Sequence, residues 1–120
     1  MPTSWSMEEE ALMANIWLRL HEVRDPVTER SFWDAFAQRF NDETDGVHRS
    51  KSRVLSHWKK IELECLRYNA IYKELLRTTE DPDRLCTANR MYFERYGKGI
   101  NYQHVWFVLR NHYAWEAHQP

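Results

Sequence analysis

The stretch that decides the fold is residues 49–66, which read RSKSRVLSHWKKIELECL. At about 100° per residue around a helix, four of its apolar side chains fall within about 40° of one another. They are Val54, Trp58, Ile61 and Cys65. This narrow apolar stripe predicts a helix with one side buried in a core.

The opposite side of the same helix carries cations and hydroxyl groups without a carboxylate. An arc of about 120° holds six such residues: Arg49, Ser52, Arg53, Ser56, Lys59 and Lys60. A helix face that only solubilises usually pairs Lys with Glu, so a face of one sign favours a polyanionic partner. Ser allows close approach to DNA, and Arg binds guanine through two hydrogen bonds. A solvated basic face is the alternative.

The distribution of charge supports a local basic strip. The 120 residues include 17 Lys and Arg and 18 Asp and Glu, a balance that excludes a strongly basic, histone-like binder. Residues 1–46 carry a net charge of −6, whereas residues 47–120 carry +5. Residues 47–60 contain five cations and no acid. A polyanion would therefore meet one strip of the surface rather than all of it.

The composition favours one helical domain, spanning residues 1–120. Aromatic residues make up 14% of the chain, which argues for a dense core, and only 3 Gly and 4 Pro argue against a turn-rich β-fold. Cys65 and Cys86 do not make a disulfide framework, and no apolar run approaches the ~20 residues of a membrane span. Without a signal-peptide pattern, we expect a soluble, reduced, intracellular domain.

Start and stop signals predict the first three helices. Ser6 and Glu9 have the capping-box spacing and open helix one, which should end before Asp25-Pro26. Helix two should start between residues 28 and 31 and be followed by a polar loop over residues 41–48. Helix three should run from Arg49 to about residue 77.

Two further helices follow helix three. Asp81 is the expected N-cap of helix four, with Pro82 at the first helical position, and Gly97 is its expected end. Asn101 is the expected cap of helix five. Its apolar stripe has helical spacing and predicts one continuous helix: Tyr102, Val105, Trp106, Leu109 and Tyr113.

The second half of helix three is apolar on nearly every side and must be covered all round. Helices four and five are one candidate for this cover, and a partner chain is the other. In the second case the partner interface would include apolar residues of helices three and five and the C-terminal Trp: Leu63, Leu66, Ile71, Trp106 and Trp115.

Several segments resemble a Myb/SANT repeat. An aromatic residue precedes an acidic first helix at residues 5–12, and Phe32-Trp33 resembles the tryptophan of the second helix. Residues 56–61 (SHWKKI) resemble the tryptophan of the third helix with its basic neighbours. The resemblance implies that Trp5, Trp33 and Trp58 are core tryptophans. Their spacings of 28 and 25 residues exceed the usual separation of roughly 20 and fit the trihelix branch.

The chain is also similar to the Myb/SANT-like proteins of plant Harbinger-type transposons and their domesticated relatives. The similarity lies in two segments, residues 67–72 (RYNAIY) and residues 101–110 (NYQHVWFVLR). The second of them precedes a terminal tryptophan, Trp115. It implies an all-α fold with a three-helix, helix-turn-helix core over residues 4–79. The long third helix is then followed by two C-terminal helices over residues 80–118.

The resemblance further implies a nuclear protein that binds double-stranded DNA in a sequence-specific way, as a transposon component or a transcriptional regulator. It assigns base reading to Ser52, Arg53, Ser56 and Lys60. It assigns phosphate contacts to four neighbours of these residues: Arg49, Lys51, His57 and Lys59.

The other class of function left open is a helical protein-interaction module, which would form a homodimer or dock a transposase or another regulator. No enzyme, cofactor, metal site, membrane contact or small-molecule substrate is expected. His104 and His112 lack a third ligand at metal-binding spacing, so His104 is expected to be a packed residue with a polar edge. Cys65 is expected to be a buried apolar residue.

Overall fold

The computed structural model describes residues 4–22 and 29–119. These residues form six helices and no strand: α1 (Met7–Glu22), α2 (Glu29–Glu43), α3 (Lys51–Thr78), α4 (Arg84–Tyr96), α5 (Gln103–Leu109) and α6 (Tyr113–His118). The all-α prediction is therefore confirmed for the described part of the chain. None of its helices is both long and apolar enough to cross a bilayer.

The predicted capping box opens α1. The backbone N–H of Ser6 donates to Glu9 Oε1, and the backbone N–H of Glu9 donates to Ser6 Oγ, each over 3.0 Å. Helix α1 ends at Glu22, ahead of Asp25-Pro26, which lies outside the described residues, as does Thr28. Helix α2 continues to Glu43 and so includes the first residues of the segment that was predicted to be a loop.

Helix α3 is the longest element. Its 28 residues span about 42 Å at 1.5 Å per residue, which equals the longest dimension of the molecule, 42 Å. The helix begins two residues later than predicted, because Ser50 is its N-cap and accepts a hydrogen bond from the Arg53 N–H over 3.2 Å. It ends at Thr78, one residue beyond the prediction.

The start of α4 differs from the prediction. The N-cap is Asp83 rather than Asp81, and Pro82 lies in the turn before the helix. The Asp81 carboxylate instead stabilises this turn, since it accepts from the Asp83 N–H over 2.8 Å and from Thr87 Oγ1 over 2.6 Å. The end is as predicted: Gly97 adopts a left-handed conformation with φ of 76°.

The predicted fifth helix is two helices. Helix α5 ends at Leu109, and α6 begins at Tyr113 after His112, whose ring accepts from the Ala114 N–H over 3.1 Å. The predicted cap of α5 is also wrong, because Tyr102 is the N-cap and makes no side-chain capping bond. The Glu64 carboxylate of α3 accepts from the backbone N–H groups of Asn101 and Tyr102.

One hydrophobic core draws buried side chains from all six helices. Trp17 on α1 lies beside Trp58 of α3 and Trp115 of α6, with ring centroids 6.2 Å and 5.9 Å away. Trp58 is fully buried, as predicted. The prediction that Trp5 and Trp33 lie in the core is wrong in part, because both are half-buried at its edge.

The second half of α3 is covered by the chain itself. Helices α4 and α5 pack along it, and α5 and α6 also pack against α1. Ile71, Trp106 and Trp115 are fully buried in this packing, so the prediction that they form a partner interface is wrong. Leu63 remains 50% exposed and Leu66 is half-buried.

Candidate nucleic-acid interface

The first three turns of α3 present a polar surface to solvent. Val54, Trp58 and Ile61 have no exposed surface and attach the helix to the core. Five of the six residues that the periodicity predicted for the outer side are exposed, and we call them the exposed basic face: Ser52, Arg53, Ser56, Lys59 and Lys60. No other described segment covers them.

The exposed basic face is not neutralised by neighbouring acids. Among residues 4–22 and 29–119, no carboxylate oxygen lies within 4 Å of Arg53, Lys59 or Lys60. Lys51, at the edge of the face, forms an ion pair with Asp34 of α2, and both side chains are largely in water. Such an exposed pair is weak, so Lys51 can exchange Asp34 for another anion at little cost.

Arg49 does not belong to this face. Its side chain is buried, with 9% of the residue exposed, and its guanidinium carbon lies 3.8 Å from the centroid of the Trp5 ring. Its Nη2 lies 3.3 Å from Glu9 Oε2, in a mostly buried ion pair. The prediction that Arg49 contacts phosphate is therefore wrong, because its charge is already used inside the protein.

Asn41 explains why the chain turns inward at Arg49. The Asn41 amide donates to the Arg49 carbonyl over 2.8 Å and accepts from the Arg49 N–H over 2.9 Å. This pair of bonds fixes the backbone one residue before the N-cap of α3. Arg49 thus joins the end of α2, the start of α1 and the start of α3, which sets the position of the exposed basic face.

His57 is also held inside the protein. Its ring stacks on Trp5 with centroids 4.3 Å apart and planes 5° apart, and its Nε2 lies 2.7 Å from Glu10 Oε2. The other oxygen of Glu10 lies 2.8 Å from Nε2 of His104 on α5. Because a carboxylate only accepts, each ring donates to it. The prediction of a phosphate contact by His57 is wrong, whereas His104 packs as predicted.

A shallow groove runs beside the exposed basic face. Its volume is about 410 Å3, and we call it the first groove. It is lined by Trp5, Arg49, Ser52, Arg53, Ser56, His57 and Lys60. The groups turned to solvent there are hydrogen-bond donors and hydroxyls, which suit an anionic, oxygen-rich ligand.

A second groove of about 160 Å3 continues from the first, with Lys60 lining both. Arg67 of α3 and Lys98 of the loop after α4 also line this second groove, and both are exposed. Neither residue is among the site residues predicted from the sequence. The seven-residue spacing of Arg53, Lys60 and Arg67 is a signal for one helix face, but nothing in the sequence brings Lys98 to it.

The remaining reactive groups form no comparable site. Burial raises the pKa of the Cys65 thiol, whose Sγ lies 3.7 Å from the Tyr102 carbonyl oxygen, so the reactive thiolate is disfavoured. Within the part of the chain that the structure describes, no three His, Cys, Asp or Glu side chains are grouped to hold a metal ion.

No family model, curated protein or solved structure matches the chain.

Proposed function

We propose that this protein binds double-stranded DNA through the exposed basic face of α3. The observation that carries the proposal is a run of three helical turns that offers three cations and two hydroxyl groups to solvent. No carboxylate of a described residue lies within 4 Å of the charged nitrogens of those cations. A solvated helix face rarely has a single sign over this length, because Glu and Lys pairs stabilise it.

The dimensions of the face suit the major groove. Residues 51–60 span about 15 Å of helix, and the groove, about 12 Å wide, accepts one α-helix. Ser52, Arg53, Ser56 and Lys60 are the proposed base-reading residues. Lys51 and Lys59, at the sides of the helix, are the proposed phosphate contacts. Arg49 and His57 support this surface from behind, through Trp5, Glu9 and Glu10.

The helix order is compatible with a Myb/SANT-like, helix-turn-helix arrangement of α1 to α3. Helix α1 packs on α2, α2 packs on α3, and a buried Trp58 anchors the third helix. The resemblance noted in the sequence extends the proposal to a nuclear DNA-binding protein, either a transposon component or a domesticated transcriptional regulator. The burial of Ile71, Trp106 and Trp115 removes part of the support for the alternative, a protein-interaction module, whereas Leu63 and Leu76 remain about half-exposed.

The test is to select duplexes from a random oligonucleotide pool and then to measure binding by fluorescence anisotropy. Arg53→Ala combined with Lys60→Ala should lower affinity for the selected duplex at least about 30-fold, since two side-chain contacts worth about 1–3 kcal/mol each are lost. The circular dichroism spectrum should not change, because both residues are exposed. Lys59→Ala, which removes one proposed phosphate contact, should lower the salt dependence of binding by roughly one unit of slope.

The matched control is Arg77→Ala combined with Arg90→Ala, which removes the same charge from two exposed sites on α3 and α4. Arg77 lies about 25 Å along α3 from Lys60, well beyond the proposed contact. This control should bind like the original chain. Equal losses in both double variants would indicate only general attraction to charge, and no selected duplex at all would refute DNA binding.

A further inference from the structure

The exposed basic face does not end where the predicted recognition residues end. Arg53, Lys60 and Arg67 recur every seven residues, so they lie within about 40° of one another around α3. Lys60 lines the first groove with Arg53 and the second groove with Arg67 and Lys98. A row of cations therefore leads from the first turn of α3 to the loop between α4 and α5.

Among the described residues, none that lines the second groove presents a free carboxylate to this row. Glu64 lines the groove but is buried, with 6% exposed, and its oxygens accept from the backbone N–H groups of Asn101 and Tyr102. Arg67 is held in place by the Tyr96 ring, whose centroid lies 4.6 Å from the guanidinium carbon. The charge of Arg67 stays accessible, since a cation–π contact leaves the guanidinium N–H groups open to an acceptor.

We infer that Arg67 and Lys98 form a second contact region for the phosphodiester backbone of the same duplex, one that the C-terminal helices create. This inference rests on the proposed function. Arg67 lies about 21 Å along α3 from Arg53, which exceeds the major-groove width of about 12 Å. A duplex that holds Arg53 in its groove therefore presents a flanking backbone strand near Arg67 and Lys98.

The second contact region should contribute affinity without base preference, because phosphates carry no direct sequence information. The probe is a 24-base-pair duplex selected with the original chain, titrated between 50 and 200 mM salt. Lys98→Ala together with Arg67→Gln should lower the salt slope by about 1.8, so the original chain should lose roughly tenfold more affinity across this range than the variant does. The base preference in a repeated selection should stay unchanged.

Two further variants and the earlier control distinguish a loss of charge from a loss of fold. Lys98→Glu alone, in an exposed loop, should lower the slope more than Lys98→Ala does. Arg67→Lys should keep the slope that Arg67→Gln loses, because the cation remains. The control Arg77→Ala with Arg90→Ala should have no effect. The second contact region alone would be overturned if the Arg67 and Lys98 variants kept the salt slope while binding still depended on Arg53 and Lys60. A chain that binds no duplex would overturn the proposed function as well.

Discussion

At the scale of single residues, Glu10 decides how the proposed recognition helix is anchored. It lies in the acidic first turn of α1, where a carboxylate normally stays in water and favours the helix macrodipole. Here it is 6% exposed, and its two oxygens receive hydrogen bonds from His57 on α3 and His104 on α5. One carboxylate thus connects three helices, and it leaves His57 fixed against Trp5.

Replacing Glu10 should therefore lower the free energy of unfolding far more than replacing its exposed neighbour Glu8. Glu10→Ala leaves two mostly buried imidazole N–H groups without an acceptor, which should lower the free energy of unfolding by about 2–4 kcal/mol. Glu8→Ala, in the same helical turn, should lower it by under about 1 kcal/mol. Urea denaturation followed by Trp fluorescence measures both values, and equal small effects would contradict the bridging role of Glu10.

At the scale of elements, local sequence signals predict where helices start and which faces are buried. They do not predict which distant residues contact one another. The capping box at Ser6 and the core side of α3 follow from spacing alone and are confirmed. The predicted phosphate contacts of Arg49 and His57 are wrong. Spacing around one helix does not show that these two side chains already bind the carboxylates of Glu9 and Glu10 on α1. The break between α5 and α6 was also missed, since the apolar stripe continues across it.

The end of α4 gives a prediction at this scale. Gly97 has φ of 76°, a backbone conformation that an L-residue with a Cβ adopts only at a cost, although no atom lies within 4 Å of the site where that Cβ would stand. Gly97→Ala should therefore destabilise the protein by about 1 kcal/mol through backbone strain alone. The matched control is Gly99→Ala, at a site with equal space and no positive φ, which should change stability by less than about 0.5 kcal/mol. Thermal unfolding of the two variants compares them directly, and a Gly99 effect as large as that of Gly97 would contradict this explanation.

At the scale of the whole molecule, the opposite charges of the two parts of the chain pair with each other in part. Acidic residues before position 47 pair with basic residues after it at several places, among them Glu9 with Arg49 and Asp34 with Lys51. Glu22 similarly lies 2.7 Å from His112 on the far side of the molecule. Several cations of the basic part are thereby paired within the molecule, whereas Arg53, Lys59 and Lys60 of the exposed basic face form no ion pair with a described residue.

Contacts between the two ends of the chain determine whether the first three helices can fold alone. Helix α1 packs against α5 and α6 as well as α2, and Trp17 of α1 contacts Trp115. On α3, Tyr68 packs edge-on against Trp106 with centroids 4.8 Å apart. Removing everything after residue 79 would expose these surfaces to water. Each large side chain would then lose about 1.5–3 kcal/mol of burial free energy, whereas the free energy of unfolding of a whole domain is about 5–15 kcal/mol.

We therefore expect the chain cut after residue 79 to lose cooperative folding, although the Myb/SANT resemblance predicts a core over residues 4–79. Its near-ultraviolet circular dichroism should be lost, and its Trp emission should shift to longer wavelength because Trp17 and Trp58 reach water. A chain that lacks only Pro120 is the control and should unfold with the midpoint of the original. A sharp thermal transition in the shortened chain, with unshifted Trp emission, would instead make residues 80–119 an addition to a self-sufficient trihelix. In that case the contacts of Trp106 and Trp115 with the first three helices would stabilise the domain without being required for it.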